Sequence, residues 1–186
     1  MTNSSFGGRL LIGASGSAAV AMLPVYLSAL RSQFTGTVTV LMTHTATRFL
    51  PAHTVALFAD QVVTGEPEST WARHNHVTLA AEHDMLAVLP ATANMLAATA
   101  TGAAGNLLSA TVLAASFPVV FFPVMSAEMW EKPAVKRNVD AVRADGCDVI
   151  EPAWGPRYDV ALGAFVDSPM PPPPPRFIDV TREFMP

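Results

Sequence analysis

The sequence has only one cysteine, Cys147, and this shortage excludes several kinds of site. A single cysteine cannot form an intrachain disulfide, and no His-Glu-x-x-His or Cys-x-x-Cys spacing of a metal site is present. Cys147 lies in the stretch "DGCDVI", which has the pattern of a strand start, so we expect a small core residue rather than a nucleophile. We therefore predict that the protein binds no metal.

Positive charge and long apolar runs are also scarce. The chain has 11 Lys and Arg residues against 15 Asp and Glu, a net charge of −4, and no basic cluster that would follow a phosphate backbone. The longest apolar run, "VLAASFPVVFFPVM", is broken by prolines and is shorter than the roughly 20 residues of a membrane-spanning helix. The N-terminal "MTNSSFGGRL" lacks a signal-peptide pattern. We expect no nucleic-acid partner, no membrane contact and a cytoplasmic location.

Apolar residues, in contrast, are abundant. Hydrophobic residues make up 51% of the chain and charged residues only 14%, which indicates that part of the surface is buried against other subunits. A chain of 186 residues has the length of one domain. The composition therefore predicts a single-domain homo-oligomer.

Short apolar runs alternate with helical patterns up to about residue 150. Five runs predict strands, namely "RLLIGAS", "TVTVLMT", "DMLAVLP", "FPVVFFP" and "CDVIEP". Helical spacing is found in "SAAVAMLPVYLSALRSQF", "TRFLPAHTVALFA", "TANMLAATATG", "NLLSATVLAAS" and "KPAVKRNVDAVRADG". Strands that are apolar on both faces and alternate with helices predict an α/β fold, a doubly wound parallel sheet with its core at about 9–150.

The pattern changes beyond residue 150. Five consecutive prolines, Pro171–Pro175, cannot lie inside a helix and favour extended backbone. We predict an irregular, proline-rich loop over 151–176 that covers a site, followed by a C-terminal helix over 177–186.

Small and hydroxyl residues follow several predicted strands, at the edge of a parallel sheet where ligands bind. Ser15 and Ser17 in "GASGS" indicate either a capped tight turn or an anion cradle. The hydroxyls of "THTATRF" are open to the same two interpretations, a helix cap or a phosphate contact. Asn94 in "PATANM" offers both a donor and an acceptor.

Three sequence elements resemble a known family. "PATANM" is similar to its PASANT motif, "PVMSAEMW" to its PxMNxxMW motif, and His76 lies fourteen residues before Pro90, where the family has its active-site histidine. The chain from about 10 to 150 thus resembles the homo-oligomeric flavin-containing cysteine decarboxylases. These include peptidyl-cysteine decarboxylases of the epidermin, cypemycin and thioviridamide types and the phosphopantothenoylcysteine decarboxylases.

The resemblance implies a flavodoxin-like or Rossmann-like flavoprotein, assembled as a trimer or further into a dodecamer. The implied cofactor is FMN, with FAD as the alternative. Its phosphate is expected near Ser15, Ser17 and Thr45, its isoalloxazine near Ala91, Thr92 and Asn94, and a further flavin-contacting turn at Asn106 and Ser109 in "GNLLSA".

The resemblance also implies a mechanism and its residues. FMN takes a hydride from the cysteine Cβ as the thiol loses its proton, and the resulting thioaldehyde allows loss of carbon dioxide. His76 is the implied base or positioning group, with His74, two residues away in a segment expected to be extended, as the second candidate. Met125, Ser126 and Met129 are the implied substrate-binding residues, and Ser126 replaces the asparagine that the family uses for the substrate carboxylate.

Phosphopantothenoylcysteine decarboxylases carry an additional cysteine in the C-terminal loop, and this chain has none there. The resemblance therefore implies oxidative decarboxylation of the C-terminal cysteine of a ribosomally made precursor peptide, giving an aminoenethiol for aminovinyl-cysteine formation. Three alternatives stay open: a phosphopantothenoylcysteine decarboxylase-like enzyme; a flavin prenyltransferase, from which "PVMSAEMW" and His76 point away; and a flavin-binding regulatory subunit without activity, which the replacement at Ser126 keeps open.

Overall fold

The computed structural model describes residues 5–65 and 70–186. Its strands are β1 (Arg9–Ala14), β2 (Thr37–Met42), β3 (Gln61–Val63), β4 (Met85–Ala91), β5 (Val119–Pro123), β6 (Asp148–Val149), β7 (Ala153–Asp159) and β8 (Ala164–Met170). Its helices are α1 (Leu23–Arg31), α2 (His44–Phe49), α3 (Ala52–Val55), α4 (His76–Glu82), α5 (Ala93–Ala100), α6 (Leu107–Ala114), α7 (Ala127–Trp130), α8 (Pro133–Ala144) and α9 (Pro174–Phe184). Among these residues, no helix combines the length and the apolar character needed to cross a bilayer.

Six parallel strands form the central sheet, in the order β3-β2-β1-β4-β5-β6. This arrangement confirms the predicted doubly wound fold. Chain order runs outward from β1 to β3 on one side and from β4 to β6 on the other, so the direction of winding switches between β1 and β4. The crevice outside the carboxyl ends of β1 and β4 is therefore where ligands are expected in this architecture.

Each face of the sheet packs against its own apolar layer. Successive residues of β1 alternate between them: Leu10 and Ile12 belong to one cluster, and Leu11 belongs to the other. The first cluster includes residues of α1 and α9, and the second includes residues of α5, α6 and α8. Because both faces are covered, the strands are apolar throughout, which is why their sequences read as continuous apolar runs.

Two differences from the sequence predictions lie beside the sheet. Strand β3 was not predicted, because three residues at a sheet edge give too short a pattern to recognise; it pairs with β2 through Val62 and Val40. The segment of His74 and His76, expected to be extended, instead contains the first turn of α4. That helix starts at His76 because Asn75 and Thr78 form a capping box.

The C-terminal segment also differs from the prediction. The loop predicted to be irregular contains an antiparallel hairpin, β7–β8, in which the rings of Tyr158 and Phe165 lie 5.4 Å apart across the strands. Asp159 stabilises its turn by accepting hydrogen bonds from two following main-chain amides. Helix α9 begins at Pro174 rather than at residue 177, because the first turn of a helix needs no amide donor and tolerates proline.

A buried hydrogen bond fixes the proline segment to the body of the domain. The hydroxyl of Tyr26 donates to the carbonyl oxygen of Pro172 at 2.6 Å, and the Tyr26 ring packs edge-on against Phe177 of α9 at 5.5 Å. The end of the β7–β8 hairpin is therefore attached to α1.

We expect Tyr26→Phe to lower the free energy of unfolding by about 1–2 kcal/mol, because the ring stays packed while the buried carbonyl of Pro172 loses its donor. Chemical denaturation of the two proteins measures this difference. Tyr158→Phe is the matched control, since Tyr158 lies on the exposed hairpin, and it should leave stability unchanged. Equal effects of the two substitutions would show that the bond to Pro172 contributes nothing.

Candidate functional site

Two cavities adjoin at the carboxyl ends of the strands. The first, about 500 Å³, we call the cradle cavity; it is lined by Ser15, Gly16, Ser17, Thr43, Thr45, Thr92, Ala93, Asn94, Met95, Asn106, Val124, Met125 and Met129. The second, about 840 Å³, we call the His76 cavity; its lining includes Met42, Thr43, Trp71, Asn75, His76, Asn106, Leu107 and Leu113. Thr43 and Asn106 belong to both linings, so the two cavities form one continuous region.

Ser15 joins the two strands at the point where the winding direction switches. Its side chain is only 3% exposed, and its Oγ donates to the carbonyl of Pro90 at 2.8 Å and accepts from the amide of Thr92 at 3.0 Å. Ser17 accepts a hydrogen bond from the amide of Ala19 and so caps the short 3-10 helix at 18–22. Both serines thus shape the wall of the cradle cavity and supply its oxygen atoms.

Gly16 brings the main chain of this loop against the next strand end. A Cβ atom at Gly16 would lie 2.4 Å from Cγ2 of Thr45, so only glycine fits at this position. Of the three threonines in "THTATRF", Thr43 caps α2 and Thr47 donates to the carbonyl of His44. Thr45 is the exposed one beside Gly16, which favours Thr45 for the predicted contact with an anion.

The structure brings together most of the residues predicted from sequence. The cradle cavity contains Ser15, Ser17, Thr45, Thr92, Asn94, Asn106, Met125 and Met129. Two predicted cofactor residues lie outside it. Ala91 is fully buried at the end of β4, and Ser109 is buried in the capping box that it forms with Asn106 at the start of α6. Both residues support neighbours that line the cavity, and their own contact with the flavin stays a prediction.

Ser126 is also outside both linings, although Met125 and Met129 on either side of it line the cradle cavity. Its Oγ accepts from the amide of Met129 at 3.4 Å and caps α7. The pKa of Glu128 is lowered by the main-chain amide of Glu128 itself and by the Ser126 hydroxyl. The hydroxyl of Ser126 is therefore engaged within its own turn.

The histidines occupy different environments. His76, the first residue of α4, is exposed and lines the larger cavity, as does His44. The Nε2 atom of His74 lies 3.3 Å from Nε2 of Gln61, and His74 lines neither cavity. His83 is buried with its Nδ1 atom 2.8 Å from the carbonyl of Leu79, and this burial lowers its pKa. The position of His76 beside the cradle cavity supports it over His74 as the acid–base residue.

The donor set of the two cavities fits FMN. Hydroxyl groups, small residues and the close main-chain approach at Gly16 suit a phosphate, and the apolar side chains of Val124, Met125 and Met129 suit a planar ring. Neither lining contains Asp, Glu, Lys or Arg among residues 5–65 and 70–186, so a phosphate there would be bound by neutral donors. Over the same ranges, no group of three or more His, Cys, Asp or Glu residues is placed to hold a metal ion.

Sequence reasoning missed Trp71, Asn75 and Leu107 of the His76 cavity. Only Asn75 had a recognisable signal, because an asparagine three residues before a threonine at the start of an apolar run has the pattern of a helix cap. The other two residues are brought to the cavity by tertiary packing, which no local pattern reveals.

Several known proteins are similar to this chain in sequence and in fold. Mersacidin decarboxylase from Bacillus sp. (strain HIL-Y85/54728) is 41% identical over 155 residues, which cover 83% of this chain and 79% of that protein. A histidine-to-asparagine variant of EpiD in complex with the substrate peptide DSYTC superposes with a TM-score of 0.83 at 25% identity, covering 94% of this chain and 97% of that one. The FMN-dependent cysteine decarboxylase TvaF from thioviridamide biosynthesis superposes with a TM-score of 0.70 at 37% identity. The match covers 77% of this chain and 89% of that one. Since the sequence model of the Flavoprotein family matches residues 2–168, the chain belongs to the Flavoprotein family.

Proposed function

We propose that the protein is an FMN-dependent decarboxylase that oxidatively decarboxylates the C-terminal cysteine of a ribosomally made precursor peptide in the cytoplasm. One observation carries the proposal: a cradle of small and hydroxyl residues opens directly into a cavity that presents an exposed histidine, His76. The relatives named for peptidyl-cysteine chemistry support this choice of substrate.

In this proposal the cradle cavity holds FMN. Ser17, Thr45 and the main chain at Gly16 bind the phosphate, while Thr92, Asn94 and Asn106 contact the ring system. When bound, FMN supplies a two-electron oxidant that accepts hydride from the substrate Cβ. Met125 and Met129 form the apolar wall beside the ring and exclude water from it.

His76 acts on the substrate thiol. Its exposed imidazole faces the cavity that adjoins the cradle, so a cysteine side chain held between the two lies beside this ring. His76 takes or orients the thiol proton, which prepares the sulfur to form the C=S bond as the Cβ hydride leaves. The carboxylate is then β to C=S, and it departs as carbon dioxide to leave an enethiolate. The peptide loses one carbon dioxide and two hydrogens.

The β7–β8 hairpin is the proposed cover of the site. Strand β8 contacts α7, which is formed by the last four residues of the "PVMSAEMW" motif, and Arg157 donates to the buried Ser168 across the hairpin. The hairpin offers exposed aromatic side chains, Trp154, Tyr158 and Phe165, on the face opposite to that of Arg157 and Ser168. A peptide that reaches the cavities would pass this segment.

Exposed apolar side chains support the proposed homo-oligomer. A set of large hydrophobic side chains on the helices and loops is about half exposed or more, and contacts between subunits would bury this apolar area. They are Met22, Val25, Phe49, Leu57, Trp71, Val77 and Leu113. We propose a trimer as the basic assembly, with a dodecamer as a further one.

Mass spectrometry of a peptide ending in cysteine tests the proposal. With FMN and air, we expect the loss of one carbon dioxide and two hydrogens, and the same peptide ending in serine should stay unchanged. Loss of carbon dioxide alone would indicate phosphopantothenoylcysteine decarboxylase-like chemistry. A flavin-loaded protein that converts no cysteine peptide would instead be a binding subunit, which the position of Ser126 outside the cavities would then explain.

A further inference from the structure

In the part of the chain that the structure describes, no side chain forms a hydrogen bond that orients the imidazole of His76. Within 5–65 and 70–186, its ring forms no hydrogen bond or ion pair. Its place in the cavity is therefore set by the main chain at the start of α4, where His76 is the first helical residue. Whatever fixes this turn fixes the point from which the imidazole extends toward the cavity.

The side chain of Asn75 makes three hydrogen bonds that hold this turn. Its Oδ1 accepts from the amides of Val77 at 3.0 Å and Thr78 at 3.1 Å, and its Nδ2 donates to the carbonyl of Trp71 at 2.9 Å. Its own main-chain amide donates to Oγ1 of Thr78 at 3.1 Å, which closes the capping box. Both the acceptor and the donor end of the amide group are thus used.

The bond to Trp71 extends this arrangement across the cavity wall. The indole Nε1 of Trp71 donates to the carbonyl of Gly65 at 2.8 Å, just after β3. A Cβ at Gly65 would lie 3.6 Å from Leu107, which lines the same cavity. A continuous series of bonds therefore connects the sheet edge to Trp71, then to Asn75, and then to the first turn of α4.

We propose that Asn75 is the positioning residue for His76: it fixes the turn that carries the imidazole and ties this turn to Trp71 on the same cavity wall. The inference rests on the proposed function, in which His76 acts on the substrate thiol. Serine retains a capping oxygen but lacks the second polar atom of the amide group, the Nδ2 that bonds Trp71, and alanine has neither. Comparing asparagine, serine and alanine at position 75 therefore separates the effect of the helix cap from the effect of the bond to Trp71.

The test measures kcat, KM for a cysteine-terminated peptide and the FMN dissociation constant for the flavin-loaded protein. Small displacements of a reacting group cost large factors in rate, so Asn75→Ala should lower kcat by about tenfold or more, with KM and FMN affinity within about twofold. Asn75→Ser should recover part of the lost kcat, because it restores the cap and not the bond to Trp71. Val139→Ala, in the buried face of α8, is the control for a general loss of stability and should keep kcat.

A second comparison tests whether the bond from Asn75 to Trp71 and the bond from Trp71 to Gly65 depend on each other. Trp71→Phe removes the indole donor to Gly65 and keeps an aromatic ring. If both bonds hold one turn, Asn75→Ser with Trp71→Phe should lower kcat about as much as the stronger single substitution; additive losses would contradict this. Equal kcat for wild type and Asn75→Ala, or an equal loss in Val139→Ala, would overturn the role of Asn75. A wild-type protein that converts no peptide would overturn the proposed function itself, and the role of Asn75 with it.

Discussion

Replacing His76 by asparagine is expected to lower kcat by about 10²- to 10⁴-fold while the protein keeps its FMN, because an acid–base group is lost and the cradle is untouched. His76 lines only the larger of the two cavities, whereas the predicted phosphate contacts lie in the other one. Asparagine is a suitable replacement because it preserves polarity and cannot exchange a proton at neutral pH. Single-turnover mass spectrometry and the visible spectrum of the purified variant measure the two properties separately.

His74→Asn is the matched control for this experiment. It removes the same ring two residues away, where His74 contacts Gln61 and lines neither cavity. We expect it to retain wild-type kcat to within a few-fold. If instead His74→Asn were inactive and His76→Asn active, the assignment of the acid–base residue would be wrong.

Gly16→Ala is expected to weaken FMN binding by about 10- to 100-fold. The added Cβ would lie 2.4 Å from Cγ2 and 2.5 Å from Cβ of Thr45, so the loop or the threonine has to move. Overpacking of this kind costs about 1–3 kcal/mol, and here the displaced groups belong to the cradle that holds the cofactor. Fluorescence titration of the apoprotein with FMN measures the change.

Gly105→Ala separates this effect from a general cost of losing glycine. A Cβ at Gly105 has no neighbouring atom within 4 Å in the described part of the chain, and its main chain has no positive φ. Its FMN affinity should therefore equal that of the wild type. Similar affinities for Gly16→Ala and Gly105→Ala would show that the close approach at Gly16 is not needed for the cofactor.

The sheet was predictable because a strand that is buried on both faces has a continuous run of apolar residues in the sequence. Leu10, Leu11 and Ile12 are all apolar, since alternate residues enter different cores. The edge strand β3 was not predictable, because its three residues are too few to show an apolar run. The β7–β8 hairpin was hidden for another reason: its strands contain Gly155, Pro156 and Pro169, residues that usually interrupt strands.

The cradle cavity was predictable from strand ends, and the His76 cavity was not. Ser15, Thr45 and Asn94 each follow a parallel strand, and the fold brings all such positions to one edge of the sheet. Trp71 and Leu107 reach the cavity through packing between segments far apart in sequence. For Ser126, the motif predicted a substrate contact, while the local geometry shows a helix cap; the contact stays a prediction.

The central claim is that decarboxylation is oxidative and uses the bound flavin, and one anaerobic experiment tests it directly. Flavin-loaded protein is mixed with a limiting amount of a cysteine-terminated peptide in the absence of oxygen, and flavin absorbance and peptide mass are followed together. The proposal predicts that one flavin is reduced for each peptide that loses carbon dioxide and two hydrogens, and that air restores the absorbance. Peptide that loses carbon dioxide while the flavin stays oxidised would contradict it.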